Sequence, residues 1–172
     1  REGTYDAIIA DASSRPVSAI DPAVLDALRL GTHQLLAMRI PTHAAVNETV
    51  RQVRQAAGKS AAGFANAVLR RVSERTREEW LDRLDAAARS DDERLALRYA
   101  HPVWVIRAFR RALAAEDRQS ELELLLEADN VSPVVTFAAL PGLAEIPVDA
   151  VATTSSPIGF HSAGGDPGAL VT

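Results

Sequence analysis

From Tyr5 to about Asn130 the chain is punctuated by one helix-start signal after another, and that rhythm confines it to a mainly α fold. Asp21-Pro22 places a capping carboxylate before proline at a first helical position. Val24, Leu25, Leu28, Leu35 and Leu36 follow on one broad apolar face. Gly31, inside this helix, weakens it intrinsically. Pro41 interrupts the pattern, and Thr42 is expected to cap the next helix. Val46, Val50, Val53 and Ala57 then recur at i, i+4, i+7 and i+11 before Gly58 ends that helix. Ser60 is expected to cap a third, with Phe64, Ala65, Val68, Leu69 and Val72 inward. Thr76 with Glu79, and Ser90 with Glu93, have the spacing of capping boxes. The helices they start bury Trp80, Leu81 and Leu84, then Leu95 and Tyr99. Pro102 opens a helix with Trp104, Phe109 and Leu113 on its apolar side, and a last one around Glu121 to Asp129 presents Leu122, Leu125 and Leu126. Seven or eight short helices result, with connections of the length found in compact bundles.

After Asn130 the composition shifts. Pro133 to Leu140 is short and rich in β-branched residues, so it reads as a strand turned by Pro141-Gly142. Ile146 to Ser162 reads as weak strands, and Gly164 to Gly168 as a turn-rich terminus. This tail has too little apolar mass for a domain of its own and is expected to begin a second, α/β domain. The opening Arg-Glu-Gly has no initiator methionine, and the chain is expected to begin inside a larger protein.

Charge is distributed unevenly over this framework. Between Arg39 and Arg77 stand eight basic residues (Arg39, Arg51, Arg54, Lys59, Arg70, Arg71, Arg75, Arg77) and two acidic ones (Glu48, Glu74), so the segment is +6 in a chain of net charge −4 and the remainder is −10. A solvated helix face normally mixes signs, and this one scarcely does; an anionic partner explains it better, with nucleic acid the first candidate. Arg51 and Arg54 fall on the side of their helix away from Val46, Val50 and Val53. Arg71 and Arg75 are read as stacked at i, i+4 beside Arg70. Lys59 lies in the turn between the two helices, close to backbone amides that themselves favour phosphate. Arg51, Arg54, Lys59, Arg70, Arg71 and Arg75 are therefore the candidate residues for binding nucleic acid.

Other chemistry finds little footing. With no cysteine the chain offers no disulfide framework, no thiolate-ligated zinc and no thiolate nucleophile. His33, His43, His101 and His161 lack any spacing that would converge on a metal. No G-x-S-x-G occurs, and Gly164-Gly165 lacks the context of a phosphate loop. Asp91-Asp92-Glu93 faces the positive end of its own helix dipole, which accounts for it. Trp80 and Trp104 are expected to be core anchors, not base-stacking platforms. No apolar run nears the ~18 residues needed to span a bilayer and no signal peptide is recognisable, so no membrane partner and a cytoplasmic location are expected.

The run LRLGTHQLLAMRIPTHAAVNETVRQVRQ followed by GKSAAGFANAVLRRV, with ALRYAHPVWVIRAF downstream, resembles the NusB-like helical RNA-binding domain at the amino terminus of the Sun/Fmu (RsmB) family of ribosomal RNA cytosine-C5 methyltransferases. SPVVTFAAL and SPIGFHSAGGDPGAL are similar to the segment leading into that family's catalytic domain. The resemblance implies a NusB-like bundle over 1–75 without its first helices, a helical linker region over 76–130, and an incomplete α/β segment over 131–172 preceding a methyltransferase domain. It also implies ribosomal RNA and the chain's own catalytic domain as partners. The family's catalytic domain binds S-adenosylmethionine and carries catalytic cysteines; with neither, this chain is expected to hold no cofactor and no catalytic site. Two other readings remain: a NusB-type transcription antitermination adaptor for RNA and protein, and a helical module docking an acidic protein partner.

Overall fold

The computed structural model describes residues 2–131, 134–148 and 150–161. The chain divides into two units, Arg1–Asp129 and Asn130–Thr172.

The first unit is helical throughout its described residues: α1 (Glu2–Ser13), a 3-10 turn (Val17–Ala19), α2 (Pro22–Ala37), α3 (Thr42–Ser73), α4 (Arg77–Ala87), α5 (Asp91–Arg98), α6 (Val103–Ala115), a second 3-10 turn (Gln119–Glu121) and α7 (Leu122–Ala128). Local chemistry sets most of these starts. The Asp21 carboxylate accepts from the amides of Ala23 and Val24, at 3.0 and 3.3 Å, and Pro22 follows at the first helical position. Thr76 and Glu79 close a full capping box. Ser90 accepts from Glu93 N–H, but the Glu93 carboxylate reaches one residue further back, to Arg89 N–H at 2.8 Å, so only half of the expected box forms.

Two capping expectations fail. Pro41, not Thr42, occupies the cap position of α3, with its carbonyl accepting from Ala44 and Ala45. Within α3 the backbone breaks at Gly58 alone (φ 85, ψ −176). That conformation, which suits a residue without Cβ, makes Gly58 the cap of the second segment, and Ser60 is already helical.

The main core joins four helices: Ile8 and Ile9 of α1, Val24 and Leu28 of α2, Val53, Val68, Leu69 and Val72 of α3, and Trp80 of α4. Ala57, expected inward, is exposed beside the break, while Ala45 and Thr49 are buried. A smaller core of Leu95, Ala96, Ile106, Leu122 and Leu126 holds α5, α6 and α7 together, with Tyr99, Phe109 and Leu113 half-buried against it. Thr4 Oγ1 donates to the Leu97 carbonyl at 2.8 Å, tying α1 to α5.

Trp104 corrects the sequence reading. It is 71% exposed, whereas Ile106, which that reading omitted, is fully buried. Trp104 and Phe109 are five residues apart, a spacing that does not share a helix face. The inward set is Val103, Ile106, Phe109 and Leu113, at intervals of three and four.

Gly31 has a packing reason that periodicity does not reveal. A Cβ there would lie 2.8 Å from Thr49 Oγ1, 3.2 Å from Thr49 Cγ2 and 3.0 Å from Leu69 Cδ2, so α2 and α3 approach closely only because the side chain is missing. Gly31→Ala is expected to destabilise by up to about 2 kcal/mol, since overpacking costs about 1–3 kcal/mol and the better helix propensity returns only ~1 kcal/mol. Adding Thr49→Ala removes both Thr49 atoms and is expected to recover part of the loss. Additive losses in a urea-denaturation double-mutant cycle would sink this account.

The described residues of the second unit form a small antiparallel sheet of order β1-β3-β2: β1 (Thr136–Ala138), β2 (Val151–Ala152) and β3 (Gly159–His161). Phe137 and Phe160 are cross-strand partners with stacked rings 5.5 Å apart, and Gly142 takes a positive φ in the expected turn. The expected Gly164–Gly168 turns, with Ser162 and Pro133, lie outside the described residues.

Candidate nucleic-acid interface

The break at Gly58 gives α3 two outward faces. On the first segment Ala45, Val46, Thr49 and Val53 point inward and leave Arg51 and Arg54 exposed on the opposite side. On the second, Ala62, Ala65, Val68, Leu69 and Val72 point inward. Lys59 and Arg70 then share the outward side, eleven residues and three turns apart, or about 16 Å along the axis. Gly63, Asn66 and Ala67 lie between them, so no charged side chain separates the two. Lys59 stands at the first helical position after the break, where unpaired amides and the helix dipole add positive potential.

The six candidate cations are not equivalent. Arg51 grips Glu48 through two nitrogens, the shorter contact being 2.7 Å, and Gln52 also donates to Glu48. The Arg51 hydrogen bonds, then those from Gln52, hold the Glu48 carboxyl below its ordinary range. Arg71 donates Nη1 to the Ala12 carbonyl at 2.9 Å, stabilising the carboxyl end of α1. Arg75 is not stacked one turn after Arg71, because α3 ends at Ser73. It sits in the following turn with its guanidinium carbon 5.1 Å from the Trp80 ring centre, a cation–π contact. Among the described residues, Arg54, Lys59, Arg70, Arg71 and Arg75 make no ion pair, although Arg75 is one of the groups that hold the Glu79 carboxyl below its ordinary range, after its hydrogen bonds from Thr76.

Elsewhere in this unit arginines join helices through carboxylates. Arg29 pairs with Asp6 at 2.7 Å and also meets Glu2 and Asp26; Arg83 pairs with Asp11, Arg98 with Asp82 and Asp85, and Arg110 with Asp91 and Asp92. Within the net positive segment Arg51 and Arg77 are paired, with Glu48 and Glu78, but Arg54, Lys59 and Arg70 can neutralise phosphates without first breaking internal pairs.

A cleft of about 600 Å³ lies between the start of α1 and the α5–α6 junction, lined by Glu2, Asp6, Glu93, Leu97 and His101 among others. Its carboxylates repel phosphate. His101 Nε2 lies 3.4 Å from Asp129, and His33 Nδ1 bonds Tyr5 at 2.7 Å. Among the described residues no group of three or more His, Cys, Asp or Glu converges as for a metal, and no helix is long and apolar enough to cross a membrane.

Residues 1–74 match the NusB family. A Mycobacterium tuberculosis protein provisionally named as a methyltransferase is 40% identical over 174 residues, covering 98% of this chain and 38% of that protein. Ribosomal RNA small subunit methyltransferase B of Vibrio cholerae is 40% identical over 101 residues, 59% of this chain and 20% of its own length. Its counterpart in Shigella boydii is 34% identical over 128 residues, 74% and 27% respectively. The chain therefore spans well under half the length of these curated relatives. No solved structure matches it.

Proposed function

Since residues 1–74 of this chain belong to the NusB family, we propose that the chain is the RNA-binding amino-terminal portion of an S-adenosylmethionine-dependent 16S ribosomal RNA cytosine-C5 methyltransferase. The observation that carries this reading is the set of unpaired cations on the outward side of α3: Arg54, Lys59 and Arg70. Arg51, Arg71 and Arg75 flank them and are shared with internal partners, so their contribution to RNA is smaller. Similarity to methyltransferases continues well past residue 74, over 98% of the chain in one relative, which favours an enzyme portion over a free-standing antitermination adaptor.

The chemistry divides accordingly. Cytosine C5 is too weak a nucleophile to take a methyl group unaided; a thiolate adding to the ring activates it. This chain has no cysteine, so thiolate and cofactor belong to the catalytic domain of the parent protein, in the cytoplasm with the ribosomal RNA. The helical unit contributes position: contacts to phosphates set orientation and register without reading sequence. Structured RNA presents phosphates and 2′-hydroxyls on its helices, leaving base selection to unpaired regions and to the catalytic domain.

Salt dependence tests the reading directly. If about four phosphates are neutralised, with a slope of roughly −0.9 per contact, affinity for an rRNA hairpin falls about 100-fold between 50 and 200 mM salt. A fluorescence-anisotropy titration giving a slope near zero would rule out this electrostatic mode.

A further inference from the structure

The α6 sequence VWVIRAFRRALAA contains three arginines and no carboxylate. Its inward side is filled by Ile106, Phe109 and Leu113. Trp104, Arg107, Ala108 and Arg111 follow at i, i+3, i+4 and i+7, so they share the opposite, outward side. Trp104 is the most exposed large apolar side chain among the described residues of the helical unit, at 71%. Arg110 is held by Asp91 and Asp92 at 2.8 and 3.0 Å. Arg107 makes one contact to Asp92, at 3.1 Å, with its side chain 63% exposed. Among the described residues Arg111 makes no ion pair.

We propose that Trp104, flanked by Arg107 and Arg111 on the outward side of α6, is a stacking platform for an unpaired RNA base, with the two guanidinium groups taking adjacent phosphates. This rests on the reading that the chain binds RNA and adds to it a second contact, separate from α3 and of different chemistry. An exposed indole leaves a large apolar surface in water, which only an aromatic or apolar partner relieves. No other large hydrophobic side chain on α6 is exposed. On α6 itself the platform is thus one ring among arginines and an alanine, unlike the contiguous apolar patch that a protein interface buries at its centre. A ring beside two cations suits a nucleotide, whose base has a π face and whose phosphate is an anion. Arg107 and Arg111 stand about 4.5 and 10.5 Å further along the helix axis, so both phosphate contacts lie to one side of the indole and the strand has a defined direction. Because a base inside a duplex is not available to stack, the platform confers a preference for loops and bulges that the α3 cations do not.

The test compares Trp104→Ala and Trp104→Phe with the parent chain against two probes of equal phosphate number, an RNA hairpin with an unpaired loop and a blunt RNA duplex. Affinity is read by anisotropy, stacking by quenching of tryptophan emission, and folding by circular dichroism. Trp104→Ala is expected to weaken hairpin binding about 10-fold, change duplex binding less than about 2-fold and abolish the hairpin-induced quenching, whereas Trp104→Phe retains most of the hairpin affinity. Equal losses for hairpin and duplex, or no loss for either, overturn the platform. Hairpin binding that responds to changes at Lys59 and Arg70 but not at Trp104 overturns the platform alone. A parent chain that binds neither probe overturns the platform together with the RNA-binding reading. Quenching of Trp104 by the parent enzyme's catalytic portion but not by RNA would assign the face to a protein contact and overturn it as well.

Discussion

Lys59→Glu combined with Arg70→Glu is expected to weaken binding of structured RNA about 100-fold at 100 mM salt, without altering the fold. Each phosphate contact contributes about 0.9 log units of affinity per decade of salt below 1 M, so losing two removes nearly two decades, and the introduced carboxylates add repulsion. The salt slope should flatten by about 1.8. Losses should be similar for all RNA sequences, because these contacts position without reading bases. This pair is a cleaner probe than Arg70 with Arg71. Arg71 holds the Ala12 carbonyl, and reversing it would disturb α1; Lys59 and Arg70 are exposed, and among the described residues neither side chain is engaged in an ion pair. The decisive control is a melting curve: a variant that melts like the parent and still binds RNA like the parent at low salt would remove α3 from the interface.

Trp80→Ala should have the largest effect on stability. The side chain is 1% exposed, and its Nε1 donates to the Val72 carbonyl at 2.9 Å, while Arg75 covers the ring. Truncation leaves a cavity where α4 packs on the end of α3 and removes the side-chain donor to that carbonyl. A cost of about 3–5 kcal/mol is expected, a large part of the 5–15 kcal/mol that stabilises an ordinary domain. Trp80→Phe keeps much of the volume but not the donor and should cost about 1–3 kcal/mol. Urea denaturation followed by circular dichroism separates the two. Equal midpoints for Trp80→Ala and the parent would show that the α3–α4 junction does not depend on this residue.

Trp80 and Trp104 show where periodicity succeeds and where it fails. Trp80 and Leu84 keep the i, i+4 spacing of one helix face, with Leu81 beside Trp80, and all three are buried. Trp104 and Phe109 are five residues apart, a step that crosses to the other side of the helix, so an inward Phe109 leaves Trp104 exposed and not in the core expected from the sequence. Counting from Ile106 instead would have turned Trp104 outward. Capping shows a similar boundary: the Thr76–Glu79 box closes fully, whereas Glu93 bypasses Ser90 for the amide of Arg89.

What the sequence by itself determined was local. Helix starts at Asp21-Pro22, Thr76 and Ser90, the break at Gly58, most inward residues of the half of α3 that follows it and the concentration of positive charge on α3 all depend on residues within a few positions of one another, where helical geometry fixes the neighbours. The resemblance carried by LRLGTHQLLAMRIPTHAAVNETVRQVRQ and AGFANAVLRR belongs to the same level. Tertiary structure alone decided which charges remain available. Arg71 meets a carbonyl 59 residues away and Arg83 a carboxylate 72 residues away, separations that no helical period encodes. Gly31 likewise reads as a weakness in α2 until Thr49 is seen against it. A cation's freedom to bind phosphate and a glycine's place in a helix depend on which groups folding brings alongside, and that is set by the packing of whole helices.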